Sequence, residues 1–267
     1  MKNFGLFLIA SLLSVSCLTS CFKGSNISTF QAIGVFDLSN KSSVYVLKTV
    51  DGEIYANEFN SMFSKGELSL GTPLYAHYTI DFDLPENAPN VVSVNGYYTV
   101  TINSFIIYDK HYLSYSLTDT SKMVNGEAVV VDPFVPVQDG GISGFYDRYM
   151  FSTHKTQSNE LNFKWDLSYG ADAMEVVEQD GKRYYDLFLR ATEDGRSSGR
   201  FNLFPVAYDM GSYLRGVAQK EKDALGSSYN ENNSIFTLRL NYVSEIKEDS
   251  TIVWSKKEVA QYIATYL

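Results

Sequence analysis

Apolar residues follow several distinct patterns along this chain. An unbroken run, Phe4 to Leu13, comes first. Later segments alternate with period two. Leu74, Ala76, Tyr78 and Ile80 share one face, and Tyr75, His77 and Thr79 share the other. Leu161, Phe163 and Trp165 alternate with Asn162, Lys164 and Asp166, and Phe236, Leu238, Leu240 and Tyr242 repeat the pattern. Such alternation predicts half-buried strands. Phe30 to Leu38, Val44 to Val50, Tyr97 to Tyr108, Phe145 to Ser152, Tyr184 to Ala191 and Phe201 to Tyr208 read as further strands. Asp51-Gly52, Asn95-Gly96 and Asp180-Gly181 supply turn signals between them. Pro85 to Pro89 reads as a loop, and Asp194-Gly195 with Ser197-Ser198-Gly199 as another.

Two segments carry helical signals. Ser212 to Leu225 has helical composition, with Gly226 as its stop. At the C-terminus, Ser255 and Glu258 form a capping-box pattern. Val259, Tyr262, Ile263 and Tyr266 then fall at i, i+3, i+4 and i+7, which predicts a C-terminal helix docked by one apolar stripe. Between these regions, Val129 to Val131 is followed by Pro133, Pro136, Asp139-Gly140-Gly141 and Gly144. This clustering predicts a linker over 119–142. It separates a small antiparallel barrel or sandwich over 29–118 from a strand-rich domain over 143–267. High aromatic content, with 20 Tyr and 17 Phe, agrees with a mostly β fold.

The first apolar run has the parts of an export signal. Lys2 precedes it and small residues follow it. About ten residues are too few for a transmembrane helix, which needs about 20. Leu18-Thr19-Ser20-Cys21 fits a bacterial lipobox position by position: an aliphatic residue, two small residues, then the cysteine that takes lipid. Cys17 fits less well, because Ser14 stands where the aliphatic residue belongs. The expectation is a lipoprotein signal peptide over 1–20, lipidation at Cys21, a tether over 21–28 and attachment to a membrane. Acyl chains hold a protein there at about 0.8 kcal/mol per buried CH₂. Cys17 and Cys21 are the only cysteines, so the mature body has neither a disulfide framework nor a thiol nucleophile.

Net charge is −9. Between Phe22 and Thr118, five lysines face nine carboxylates, with no arginine. Nucleic acid is therefore not an expected partner, since its binding rests on cationic neutralisation of phosphates. Candidate chemistry is sparse. His77, His111 and His154 have no partner at a zinc spacing. Asp81 and Asp83 share a strand face but read as a solvated strand end. Ser143, in Gly141-Ile142-Ser143-Gly144, lacks the flanking residues of a nucleophile elbow. Asp180, Glu193 and Asp194 do not follow a calcium-loop pattern. Trp165, Trp254 and the tyrosines have the faces to stack on sugar rings, but strand-rich chains mostly use aromatics in cores. Asp249-Ser250-Thr251 resembles the three-residue O-glycosylation motif of the Bacteroidetes. No catalytic residue, cofactor site or metal site is predicted.

The order of elements resembles the NigD-like lipoproteins of Bacteroidetes. It runs from the lipobox through Ile33 to Val46, Asp51-Gly52 with Ile54-Tyr55, the strand Leu74 to Ile80, and later Leu161 to Tyr169. The resemblance implies an N-terminal OB-like barrel followed by a C-terminal β-sandwich, and a bacteriocin-immunity role is associated with the family. The chain lacks the acidic run that often follows the lipidated cysteine of surface-exported members. That favours the periplasmic face, on the outer membrane, over the cell surface. The leading expectation is a non-enzymatic envelope lipoprotein that binds a protein partner, in a role of the immunity type. The alternatives are a glycan-binding lipoprotein of a nutrient-uptake system and an envelope hydrolase without a recognisable motif.

Overall fold

A computed structural model of the protein describes residues 26–115, 120–135, 143–157, 161–170, 177–179, 182–197, 203–230 and 235–262. The export signal, Cys21 and most of the tether lie outside them. So do Asp180-Gly181 and the end of the apolar stripe, Ile263 and Tyr266.

The first sheet uses β1 (Ile27–Leu38), β2 (Tyr45–Thr49), β3 (Gly52–Tyr55), β4 (Thr72–Asp81), β5 (Tyr97–Thr99) and β6 (Thr101–Ile107), in the order β5-β3-β2-β1-β4-β6. The β3–β5 pair is parallel and the other pairs are antiparallel. This is a partly open OB-type barrel. The hydrogen-bonded ladder is not closed. Instead the chain steps from one sheet edge to the other across Val100, whose N–H donates to Tyr55 O at 2.9 Å. At Gly34 strands approach so closely that an added Cβ would stand 2.2 Å from Lys48 O. Helix α1 (Asn57–Ser64) follows β3 and plugs the barrel with Phe59, edge-on to Phe36. The predicted loop after Pro85 is a 3-10 turn and a helix, α2 (Pro89–Asn95). Gly96 ends α2 at φ 86°, a conformation that costs glycine nothing.

The second half forms two further sheets. Its strands are β7 (Asp109–Tyr112), β8 (Ser114–Tyr115), β9 (Glu127–Ala128), β10 (Val130–Asp132), β11 (Gly144–Tyr146), β12 (Tyr149–Thr156), β13 (Leu161–Tyr169), β14 (Val177–Gln179), β15 (Lys182–Ser197), β16 (Leu203–Asp209), β17 (Ile235–Ile246) and β18 (Ile252–Tyr262). One sheet runs β10-β12-β16-β7, with β11 on β12. The other runs β18-β17-β15-β13-β8, with β14 and β9 on β15. Side chains from both sheets, among them Met150, Val206, Trp165, Leu187 and Leu238, share one buried cluster. Helix α3 (Gly211–Leu225) joins that cluster through Tyr213, Leu214, Val217 and Ala218. Its Glu221 is almost wholly buried, bonded to Arg183 Nε at 2.8 Å and to the Tyr185 hydroxyl at 2.8 Å. Desolvation of these charges is offset by the two-pronged pair.

The structure corrects two expectations. The segment from Ser255 is strand through Tyr262, not helix; the helix of the second half is α3, where Gly226 does provide the stop. A ladder with β17, from Ile246↔Ile252 to Ile235↔Tyr262, supplies the long-range partner that overrides the local capping signal. Likewise, the segment read as linker contains β9 and β10, bonded to β15 and β12, and sheet membership changes earlier, at Tyr108. Pro136 and Asp139-Gly140-Gly141 lie outside the described residues.

The two halves also share a core. Ile33, Val35 and Tyr75, on the outer face of the barrel, pack with Tyr108, Tyr149, Phe151 and Ala207. Strands β1 and β4 therefore bury both faces. Leu74, Ala76, Tyr78 and Ile80 fill the barrel, while Tyr75 from the opposite row faces the second sheet.

Candidate functional site

A pocket of about 390 Å³ opens where the β11–β12 turn, the end of β13 and the β16–α3 junction meet β7 and β8. Its walls are Tyr112, Leu113, Tyr169 and Tyr213, with Arg148, Arg215, Asp209, Gly211 and Ser212. That volume lies toward the lower end of ligand pockets, roughly 300–1,000 Å³.

Backbone geometry brings these distant residues together. Met210 N–H donates to Arg148 O at 2.9 Å, which ties the β11–β12 turn to the start of α3. Arg148 Nε lies 3.0 Å from Asp209 Oδ2, and Lys110 Nζ approaches the same oxygen at 3.9 Å. Asp209 Oδ1 accepts the Gly211 N–H at 3.2 Å. Lys110 holds its proton more firmly than a free lysine does. Burial opposes its charge, but Tyr149, Tyr112 and Asp209 outweigh that penalty. Arg148 and Lys110 both lie over the Tyr149 ring, at 5.3 Å. Arg215 donates to Ser212 Oγ at 3.2 Å and has no carboxylate partner among the described residues.

Tyrosines build the remaining walls. Tyr169 meets Tyr213 at 4.8 Å with planes 58° apart, and Tyr115 meets Tyr169 at 5.3 Å and 65°. Tyr112 in the wall and Tyr115 beside Tyr169 are 68% and 63% exposed. Tyr213 is buried; its hydroxyl has no hydrogen-bond partner among the described residues, and burial pushes its pKa well up.

The candidates read from sequence do not converge here. Asp81 and Asp83 serve turns, accepting the N–H of Asp83 and of Asn26. His111 pairs with Asp109 at 2.8 Å. His77 sits half-buried in β4, opposite Gln31 and Ser104. His154 is fully buried against Trp165, and burial pushes its pKa down to about 3. Ser143 Oγ donates to Val135 O and receives the Thr153 N–H, a strand-bracing role. Trp165 lies in the core, and Trp254 is held by Phe188, Arg190 and Thr120 O. Glu193 belongs to β15, and Asp249-Ser250-Thr251 forms the β17–β18 turn. Among the described residues, no three metal-capable side chains cluster. The pocket residues Tyr112, Arg148, Asp209 and Arg215 escaped notice because nothing local distinguishes them.

The first half is thus an OB-type barrel packed onto a β-sandwich. Residues 24–106 match the family described as "Lipoprotein OB domain". The N-terminal OB-like domain that the resemblance to NigD-like lipoproteins implies is borne out by that match. An uncharacterized protein from Parabacteroides merdae shares the fold of both halves. It is 22% identical, covers 88% of this chain and 99% of its own, and has a TM-score of 0.64. A candidate lipoprotein from Bacteroides fragilis, 10% identical, covers 88% of this chain and 98% of its own, with a TM-score of 0.51. A NigD-like immunity protein from Bacteroides caccae, 10% identical, covers 88% and 94% with a TM-score of 0.34. No curated protein matches the sequence.

Proposed function

We propose that this chain is a non-enzymatic binding lipoprotein of the bacterial envelope, with its second half presented to a protein partner. Cys21 carries the lipid, and the periplasmic face of the outer membrane is the favoured location. The observation that carries the binding role is the pairing of exposed tyrosines, Tyr112 in the pocket wall and Tyr115 against Tyr169, with arginine-lined walls. Tyrosine and arginine are the residues on which protein interfaces concentrate their binding energy. A glycan is a weaker fit, because the Tyr115, Tyr169 and Tyr213 rings meet at steep angles and offer no flat platform for a sugar face. Supporting the non-enzymatic reading, Asp209 is the one carboxylate of the pocket among the described residues and is already engaged by Arg148 and Lys110. The family resemblance makes a bacterial toxin the first class of partner to try.

A photo-crosslinking residue introduced at Tyr112 in living cells tests this reading. One discrete protein adduct is expected there, and none from the same residue at Val94, an exposed position on α2. Equal adducts at both positions, or none from Tyr112, would overturn it.

A further inference from the structure

We infer that the Arg148–Arg215 pocket is a carboxylate-recognition site that receives an acidic side chain of the protein partner. This rests on the reading of the second half as a partner-binding surface and names the chemistry of the contact.

The charge of the site runs against that of the chain. A protein of net charge −9 repels acidic segments over most of its surface. Around the pocket, Arg148, Arg215 and Lys110 face Asp209 and, in the adjoining turn, Asp147. Asp209 is taken by Arg148, Lys110 and the Gly211 N–H. Among the described residues Arg215 meets no carboxylate, and Ser212 Oγ accepts its hydrogen bond. A guanidinium offers a planar fork that matches a carboxylate and binds it through parallel hydrogen bonds.

Helix α3 adds to the same field. It runs 15 residues and starts in the pocket wall. Its first turn holds no acidic residue and the Met210 N-cap makes no side-chain bond, while Asp209 just before it accepts the first helical N–H. The first N–H groups of a helix have no acceptor within it, and the peptide dipoles leave that end positive. Gly211 N–H is occupied by Asp209, and Gly211 and Ser212 at that end of the helix line the cavity together with Arg215. Tyr213 lies in the same wall, and its buried hydroxyl has no hydrogen-bond partner among the described residues. The walls between these polar groups are tyrosine and leucine, which suits the methylenes of a Glu or Asp side chain.

The test uses full-length protein in detergent and labelled hexaglutamate, read by fluorescence anisotropy at low salt. Hexaglutamate is expected to bind, and hexaglutamine not to. Arg215→Gln is expected to weaken binding by about ten-fold or more, the loss of one charge-assisted contact. Arg215→Lys should fall between the two. Lys65→Gln, at an exposed site on the barrel, should leave binding unchanged. Arg215 is itself exposed, so its replacement spares the core. Absence of hexaglutamate binding, or equal losses from Arg215→Gln and Lys65→Gln, would overturn the inference. Tighter binding of trigalacturonate than of hexaglutamate would overturn it too, by moving the carboxylate to an acidic sugar. If the peptide fails while the Tyr112 adduct persists, the carboxylate contact falls and the partner reading survives; loss of the adduct alone removes the reading beneath it.

Discussion

Arg239 of β17 grips Asp186 of β15 with a two-pronged ion pair on the outer face of the sandwich, across parallel neighbouring strands. Arg239 is only 7% exposed and also lies over the Tyr184 ring at 5.0 Å. Asn241 completes the arrangement with a bond to Asp186 at 2.9 Å. Burial raises the Asp186 pKa, but the bonds from Arg239 and Asn241 and their charge outweigh it, leaving the carboxyl below its ordinary value.

Removing that carboxylate takes the two-pronged partner from a buried guanidinium. Asp186→Asn is expected to cost about 3–5 kcal/mol, as broken buried pairs do. A carboxyl with a depressed folded pKa stabilises above its unfolded pKa, and the stability is lost as pH falls through the folded value. The wild type should therefore lose part of its stability below about pH 4, the ordinary range of Asp. Urea unfolding at neutral and acidic pH checks both effects, and Asp186→Asn should show a smaller acid loss.

His154 sets a second acid dependence. Pro133 O can only accept, so His154 Nδ1 donates to it, at 2.7 Å; Nε2 then accepts from the Tyr208 hydroxyl at 2.9 Å. Burial holds the ring neutral down to about pH 3. In the unfolded chain the ring takes up a proton near pH 6.5. Below that pH the unfolded state binds more protons, so stability falls from about pH 6.5 toward pH 3. His154→Gln is expected to lower stability at pH 7 and to flatten this slope. Chemical denaturation at several pH values distinguishes that outcome from a uniform loss.

Phe151 joins the two halves. It is fully buried and meets Tyr108 edge-on at 5.2 Å. Phe151→Ala is expected to cost about 3–5 kcal/mol, through lost burial and the cavity left behind. Hydrogen exchange should show faster opening in β1 and β4 as well as in β12, since Ile33, Val35 and Tyr75 share its cluster. Acceleration confined to β12 would mean that the barrel does not lean on this contact.

Membrane attachment is expected to depend on Cys21. Cys21→Ala should release the protein from membranes and abolish lipid labelling, while Cys17→Ala should leave both intact. Fractionation with labelled fatty acid reads the result. Labelling that follows Cys17 would reassign the anchor.

Several features were legible from local pattern alone. The face assignments in β4 and β17 follow from alternation, because a strand sends successive side chains to opposite sides. The helix over 211–225 and its stop at Gly226 were read from composition and one glycine. The OB-like barrel came by resemblance in the order of elements. What the chain could not disclose locally was which strands pair. Whether 252–262 winds as a helix or extends as a strand depends on β17, and the local capping signal loses to a long ladder. Tyr75 stands in the row that reads as polar, yet it is buried, because a second sheet covers that face. The pocket was invisible for the same reason. Tyr112, Arg148, Asp209 and Arg215 are spread over a hundred positions, and only the convergence of β7, the β11–β12 turn and the start of α3 makes them neighbours. Local sequence sets how each side chain leans from its backbone; long-range pairing, which no window of residues contains, decides what it meets.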